Sequence, residues 1–268
     1  MNRSSYKITR PDTEIRGLVD YFWEGEVCLD STRQTSFEYL APASTAVDLI
    51  FFNKGYFKDS LSEKTIAQNG IIYGQKASFN RYSTTSKQAT IFGIKLKSSF
   101  VFHMLRVPAS EITGHQVDLR TLLGCSGDRL TELILSSHSM EEKADTFTRF
   151  LKGQQREVQT KFRALEKLIA SVDFLAEPSE ISNQLGSFFL SRRQFERDFK
   201  TLTGFSVRKF SRLKRFELFF QAIQSNQLTS SFTQAAYQFG YYDQAHLNRD
   251  FKEFTGVSPK RYADTFLR

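Results

Sequence analysis

The chain has 268 residues, 40% of them hydrophobic and 25% charged, with a formal charge of +8 at pH 7, a length that suits two domains each with its own core. No apolar run approaches the roughly 18 residues of a membrane span, and the start, MNRSSYKITRPDTE, has no apolar targeting core, so the expectation is a cytoplasmic protein without a membrane partner. Cys28 and Cys125 have no metal-ligand spacing, His103, His115, His138 and His246 are scattered, and HxH, HExxH and GxSxG are all absent; no metal, no cofactor, no catalytic residue and no enzyme are therefore expected.

In chain order, Leu18 to Val27, Ala46 to Phe52, Gly70 to Tyr73 and Thr90 to Leu96 are rich in β-branched and aromatic residues and predict strands. In the last, Phe92, Ile94 and Leu96 share one face while Gly93, Lys95 and Lys97 share the other, the alternation of a half-buried strand. Polar or turn-forming stretches separate these runs: Asp30-Ser31-Thr32, Asn53-Lys54-Gly55, Gln68-Asn69-Gly70 and Ser83 to Ser86. Short strands at such spacing predict a small barrel or sandwich, a fold that can enclose a pocket. Tyr21, Phe22, Trp23, Phe51, Phe52 and Phe92 serve equally as its core or as the lining of a ligand cavity, and no ligand residues can be singled out.

After Ser98 the apolar period changes from two to about 3.6. Ser98 to Leu105 reads as a short capped helix ending before Pro108, and Leu119, Leu122 and Leu123 lead to Gly124. Asp128 to Leu151 reads as two helices broken near Ser136 to Ser139. Their apolar face suits either packing on the strands or dimerisation. Lys152-Gly153-Gln154-Gln155 reads as a polar linker, dividing the chain into an N-terminal regulatory or dimerisation domain, 1–152, and a C-terminal domain, 158–268. From Val158 onward there are 17 Lys and Arg against 11 Asp and Glu, a net +6, so the basicity concentrates where a nucleic acid would bind.

Beyond the linker, Val158, Phe162, Leu165, Leu168, Ile169 and Val172 mark one helix, and Pro178-Ser179-Glu180 starts another with Ile181 and Leu185 inward. Ser191 is a suitable N-cap for a helix over Arg192 to Leu202 that buries Phe195, Phe199 and Leu202. Val207 to Ile223 forms a long helix with Arg208, Lys209, Arg212 and Lys214 on its open face. Phe232, Ala235, Ala236 and Phe239 mark a further helix that Gly240 ends, and Asp243 can cap the next, Gln244 to Phe254. The segment from Phe195 to Ser206 recurs 52 residues later from Leu247 to Ser258 with Arg, Asp, Phe, Lys, Thr, Gly and Ser at identical places. Two copies of one helix-turn-helix unit are joined by a helix, and second helices that face one side of a duplex would enter major grooves about 34 Å apart.

SRRQFERDFKTLTGFSVRKF in the first unit and AAYQFGYYDQAHLNRDFKEFTGVSPKRY in the second resemble the AraC/XylS family of bacterial transcription regulators. The pattern runs through Gly240, Phe251, Gly256, Pro259 and Tyr262. AVDLIFF and FGIKLKSSFVFHMLRVPASEITGHQVDLRTLLG resemble, more weakly, the N-terminal domain of one of its subgroups. The resemblance implies an α+β protein: a small cupin-like β-barrel with flanking helices, then an all-α domain with two helix-turn-helix motifs joined by a helix. It implies double-stranded DNA as partner and admits RNA polymerase, a small-molecule effector and a second copy of the chain. Carried over by position, it implies Arg193, Glu196 and Arg197 in the first unit and Gln244, His246, Asn248 and Arg249 in the second as DNA contacts, with Arg192 added by its place at the helix start. Arg suits guanine O6/N7, Gln or Asn suits adenine, and Glu196 either accepts from cytosine or pairs with Arg192, Arg193 or Lys200. The first unit departs from the pattern at Leu185 and at Phe188-Phe189-Leu190, where a small residue and a turn glycine are usual. The alternative reading is an adaptor that holds DNA nonspecifically and binds a protein through its N-terminal domain.

Overall fold

A computed structural model describes residues 3–29, 35–60, 63–67, 69–154, 160–176, 180–181, 183–184, 191–225 and 231–266. Ten strands precede the helices: β1 (Arg3–Thr9), β2 (Val19–Cys28), β3 (Phe37–Ala41), β4 (Val47–Lys54), β5 (Phe57–Asp59), β6 (Thr65–Ile66), β7 (Gly70–Tyr73), β8 (Asn80–Thr84), β9 (Gln88–Leu96) and β10 (Gln116–Asp118). They form a six-stranded antiparallel sheet, β1-β2-β9-β4-β7-β10, and a four-stranded one, β3-β8-β5-β6. The N-terminal domain is thus β-rich with two sheets and is not the closed barrel that the resemblance implied. Between the sheets lie Phe52, Tyr73 and Ala89 of the larger and Phe57, Ile66 and Tyr82 of the smaller.

Alternation along β9 puts Phe92, Ile94 and Leu96 on the opposite face of the large sheet, fully buried with Phe22, Phe51 and Phe147. Three helices cover that face: α1 (Leu119–Leu123), α2 (Cys125–Ser136) and α3 (Met140–Gln154). Two expectations change here. The stretch before Pro108 is a π-helical turn, Val101–Leu105, without a side-chain cap. Lys152, Gly153 and Gln154 belong to the last turn of α3 rather than to a linker; Gln155 lies outside the described residues.

The remaining helices are α4 (Thr160–Ser171), α5 (Arg192–Thr203), α6 (Val207–Gln224), α7 (Phe232–Gln238), α8 (Gln244–Thr255) and α9 (Pro259–Phe266). Four of these starts have a local cause. Ser191, Ser206 and Asp243 accept from the backbone N–H groups of Gln194, Lys209 and His246, and Ser231 forms a capping box with Gln234. Their apolar faces meet in a phenylalanine core, with Phe216 against Phe254 at 5.1 Å and Phe219 against Phe251 at 5.8 Å between ring centres; such pairs add to their simple burial. Leu185 and Phe188 to Leu190, where the first unit departs from the family pattern, lie outside the described residues.

Besides the His103–Glu166 pair at 2.8 Å, the N-terminal part grips this helical part at three places that bear on the repeat. Gln75 Nε2 donates to the Thr203 carbonyl at 3.1 Å, at the C-terminal end of α5. The Ala43 N–H donates to the Phe254 carbonyl at 2.9 Å, at the matching end of α8. The two helices end at Gly204 and Gly256, both at positive φ (81° and 79°), where a Cβ would lie 2.4 Å from Thr113 Oγ1 and 2.6 Å from the Phe79 ring respectively. Glycine is needed at both for backbone and for space. The third contact is Glu217 in α6. Its carboxylate accepts from Thr45 N at 2.6 Å, from Thr45 Oγ1 at 2.9 Å, from Ser44 Oγ at 3.3 Å and from Lys214 Nζ at 3.0 Å.

Burial would raise the Glu217 pKa, yet Lys214 and the Thr45 donors together hold it below its ordinary 4.5. A depressed carboxylate stabilises the fold above its unfolded-state pKa and loses that contribution as pH falls through the folded-state value. Glu217→Ala should cost about 1–3 kcal/mol in chemical denaturation at neutral pH, and the difference from the parent protein should shrink once the pH drops below that of an ordinary carboxylate.

Candidate nucleic-acid interface

Because the C-terminal ends of α5 and α8 are turned into the β-rich part, their N-terminal and outer faces are what the protein offers to a partner. The eight residues expected there divide into three groups. Arg193 and Arg249 are exposed and Asn248 is half-buried; among the described residues none of these three side chains has a hydrogen bond or ion pair. They are free to meet a base edge or a phosphate.

Arg192, Glu196 and Arg197 are also exposed but are wired into their own helix. Arg192 Nε and Glu196 Oε1 are 3.1 Å apart, the i,i+4 pairing that the sequence left open as an alternative for Glu196. Arg197 donates to Gln194 Oε1, and Gln194 Nε2 in turn donates to the buried Asp198 at 2.8 Å. An exposed pair of this kind is worth under about 1 kcal/mol, so a stronger acceptor on a nucleic acid could recruit either arginine.

Gln244 and His246 are half-buried and partly engaged. Thr233 Oγ1 donates to Gln244 Oε1 at 2.7 Å. The His246 ring stands edge-on to Tyr241 at 5.2 Å, and Arg215 lies 5.5 Å from the centre of that tyrosine ring. Tyr242, 83% exposed beside the Asp243 cap, was not singled out from sequence and projects beside the same helix start. Its signal was present in the Gly-Tyr-Tyr-Asp turn, where two adjacent aromatics cannot both face the core.

The open face of α6 is corrected by the structure. Lys209 Nζ lies 2.7 Å from Glu253 and sits over the Phe254 ring. Arg212 bonds both Asp250, at 2.6 Å, and Glu253, at 2.7 Å. These hydrogen bonds hold the Arg212 guanidinium charged, against the effect of burial. Lys214 pairs with Glu217. Of the four basic residues expected on that face, Arg208 alone has no partner among the described residues. The others tie α6 to α8 and α6 to itself, fixing α8 on its scaffold.

A second group of aromatic and charged residues gathers around Asp48. Tyr39 of β3 keeps 51% of its surface exposed. Lys95 pairs with Asp48 at 3.0 Å. Lys76 Nζ stands 5.3 Å and 5.6 Å from the ring centres of Tyr73 and Tyr82, without a carboxylate partner among the described residues, and burial lowers its pKa to about 8.

The repeated helices α5 and α8 each present an exposed arginine, Arg193 or Arg249, on the outer face. A helix-turn-helix domain family matches residues 186–265, and a domain of unknown function (DUF6597) matches residues 7–118. The chain carries an AraC-type helix-turn-helix domain at its C-terminal end. No curated protein matches it significantly. Among solved structures it is similar to the apo form of a ToxT variant from Vibrio cholerae, with a TM-score of 0.50 and 14% identity over 96% of this chain and 99% of that one. It also aligns with unsaturated fatty acid-bound ToxT from the same organism, at 0.47 and 15% over 85% and 94%, and with the AraC-like transcriptional activator CuxR, at 0.30 and 12% over 82% and 87%. At such identities the first of these speaks to fold alone. No helix among the described residues is long and apolar enough to cross a membrane.

Asp250 keeps only 2% of its side-chain surface, so removing its partner strands a buried charge. Arg212→Ala should therefore lower stability by about 3 kcal/mol, read as a shift of the denaturation midpoint.

Proposed function

We propose that this chain is a sequence-specific transcription regulator of the AraC type, in which residues 158–268 read duplex DNA through α5 and α8 and residues 1–152 control that reading. The observation that carries this is the pairing of two facts about the repeat. Both recognition helices are held by their C-terminal ends, through Gln75 to Thr203 and Ala43 to Phe254, and each presents an unpaired arginine, Arg193 or Arg249, on its exposed face. Arginine reads guanine through O6 and N7, Asn248 suits adenine, and Arg208 suits a phosphate. Arg192, Glu196, Arg197, Gln244 and His246 complete the contact set, the first three by exchanging internal bonds for bonds to DNA. For an effector we favour the group around Asp48, where Lys76 offers a cation and Tyr39 and Tyr6 offer open aromatic surface.

Selection of binding sites from random duplexes by the full chain tests the reading. The expected result is an enriched two-part motif with half-sites about one helical turn apart, and affinity that falls with salt by about 0.9 log unit per log unit for each neutralised phosphate. Unenriched duplexes bound with the same salt response would favour the nonspecific adaptor instead. Arg193→Ala, Asn248→Ala and Arg249→Ala should each relax preference at one base pair by about 1–3 kcal/mol. Lys209→Ala should lower stability and leave the motif unchanged.

A further inference from the structure

Thr233 uses its hydroxyl differently from five other helical hydroxyls among the described residues. Thr131, Thr148, Thr203, Ser211 and Thr255 each bond back to the carbonyl four residues earlier in their own helix. Thr233 stands in the first turn of α7, where no such carbonyl belongs to the helix, and reaches across the turn to Gln244 Oε1 at 2.7 Å. Gln244 is the first residue of α8, the position from which a recognition helix touches base edges. The repeat-equivalent pair in the first unit is Ile181, buried in the helical core, and Arg192, which bonds Glu196. The Thr233 to Gln244 bond therefore belongs to the second unit only.

We propose that Thr233 is a positioning residue for base readout: it holds the Gln244 amide with its oxygen turned back to α7 and its N–H groups turned outward. A free glutamine meets adenine both ways, accepting from N6–H and donating to N7. With its oxygen held to Thr233 and turned from the groove, Gln244 meets a base as a donor; adenine then takes one bond at N7 and leaves N6–H unpaired, so the keto edges, guanine with O6 and N7 or thymine with O4, suit it better. The inference rests on the proposal above that α8 lies in the major groove.

The test is site selection by the full chain in four forms: parent, Thr233→Ser, Thr233→Val and Gln244→Ala. Gln244→Ala identifies the base position concerned, as the one whose preference flattens. At that position the parent and Thr233→Ser, which keeps the hydroxyl, should favour guanine or thymine over adenine. Thr233→Val should shift the ratio toward adenine by roughly tenfold, with the rest of the motif unchanged. A purely structural role for Thr233 would lower affinity for every duplex and leave this one position unmoved, which overturns the proposal. So does a parent protein that already prefers adenine there, a result that stands even if Thr233→Val folds poorly. An unmoved position within an enriched motif defeats this inference alone, whereas no enriched motif in any form defeats the DNA-reading proposal and this one with it.

Discussion

The placement of both recognition helices depends on what the β-rich part does to their C-terminal ends. Gln75 and Thr113 close on Thr203 and Gly204, while Ala43 and Phe79 close on Phe254 and Gly256. These are corresponding places in the repeat, reached from neighbouring parts of one domain. Glu217, gripped by Ser44 and Thr45, holds the helix that joins the two units. A repeat of two helix-turn-helix units could flex at its connecting helix. Here contacts from the β-rich part hold the ends of both units and the helix between them.

Inside the helical part the charges sort by task. Asp250 and Glu253 draw Arg212 and Lys209 inward and bind α6 to α8. In the first unit the corresponding aspartate, Asp198, instead holds Gln194, which holds Arg197. The same Arg-Asp step in the two repeats thus has different surroundings, and the two halves are chemically unequal: the first is a lattice of exposed pairs with Arg193 free among the described residues, the second a firmer scaffold with Asn248 and Arg249 free. A basic surface is not by itself a DNA-binding surface. On α6 most of that basicity is spent on holding the fold together.

Much of the helical part was legible because its signals are local. Ser191, Asp243 and Gly240 sit where caps and a turn are needed, and the 52-residue repeat ties the two units to one pattern; α5 and α8 end within one residue of their expected limits. The strands were legible where β-branched and aromatic residues crowd, as in β2, β4, β7 and β9. They were missed where polar residues dominate, as in RSSYKIT of β1, on the edge of its sheet, and NRYST of β8, in a stretch that reads as turn. Closure into a barrel could not be read at all, because it depends on which strands pair across distance. The partners of Lys209 and Arg212 were hidden for a similar reason. Periodicity assigns a residue to a helix face, but Glu253 and Asp250 lie 44 and 38 residues away along the chain.

The two-part reader is tested most directly by hydroxyl-radical footprinting of the full chain on a selected duplex. The proposed reading, with α5 and α8 facing one side of the duplex, predicts two protected patches about one helical turn apart on the same side of the DNA. A single patch, or protection spread evenly along the duplex, would contradict it.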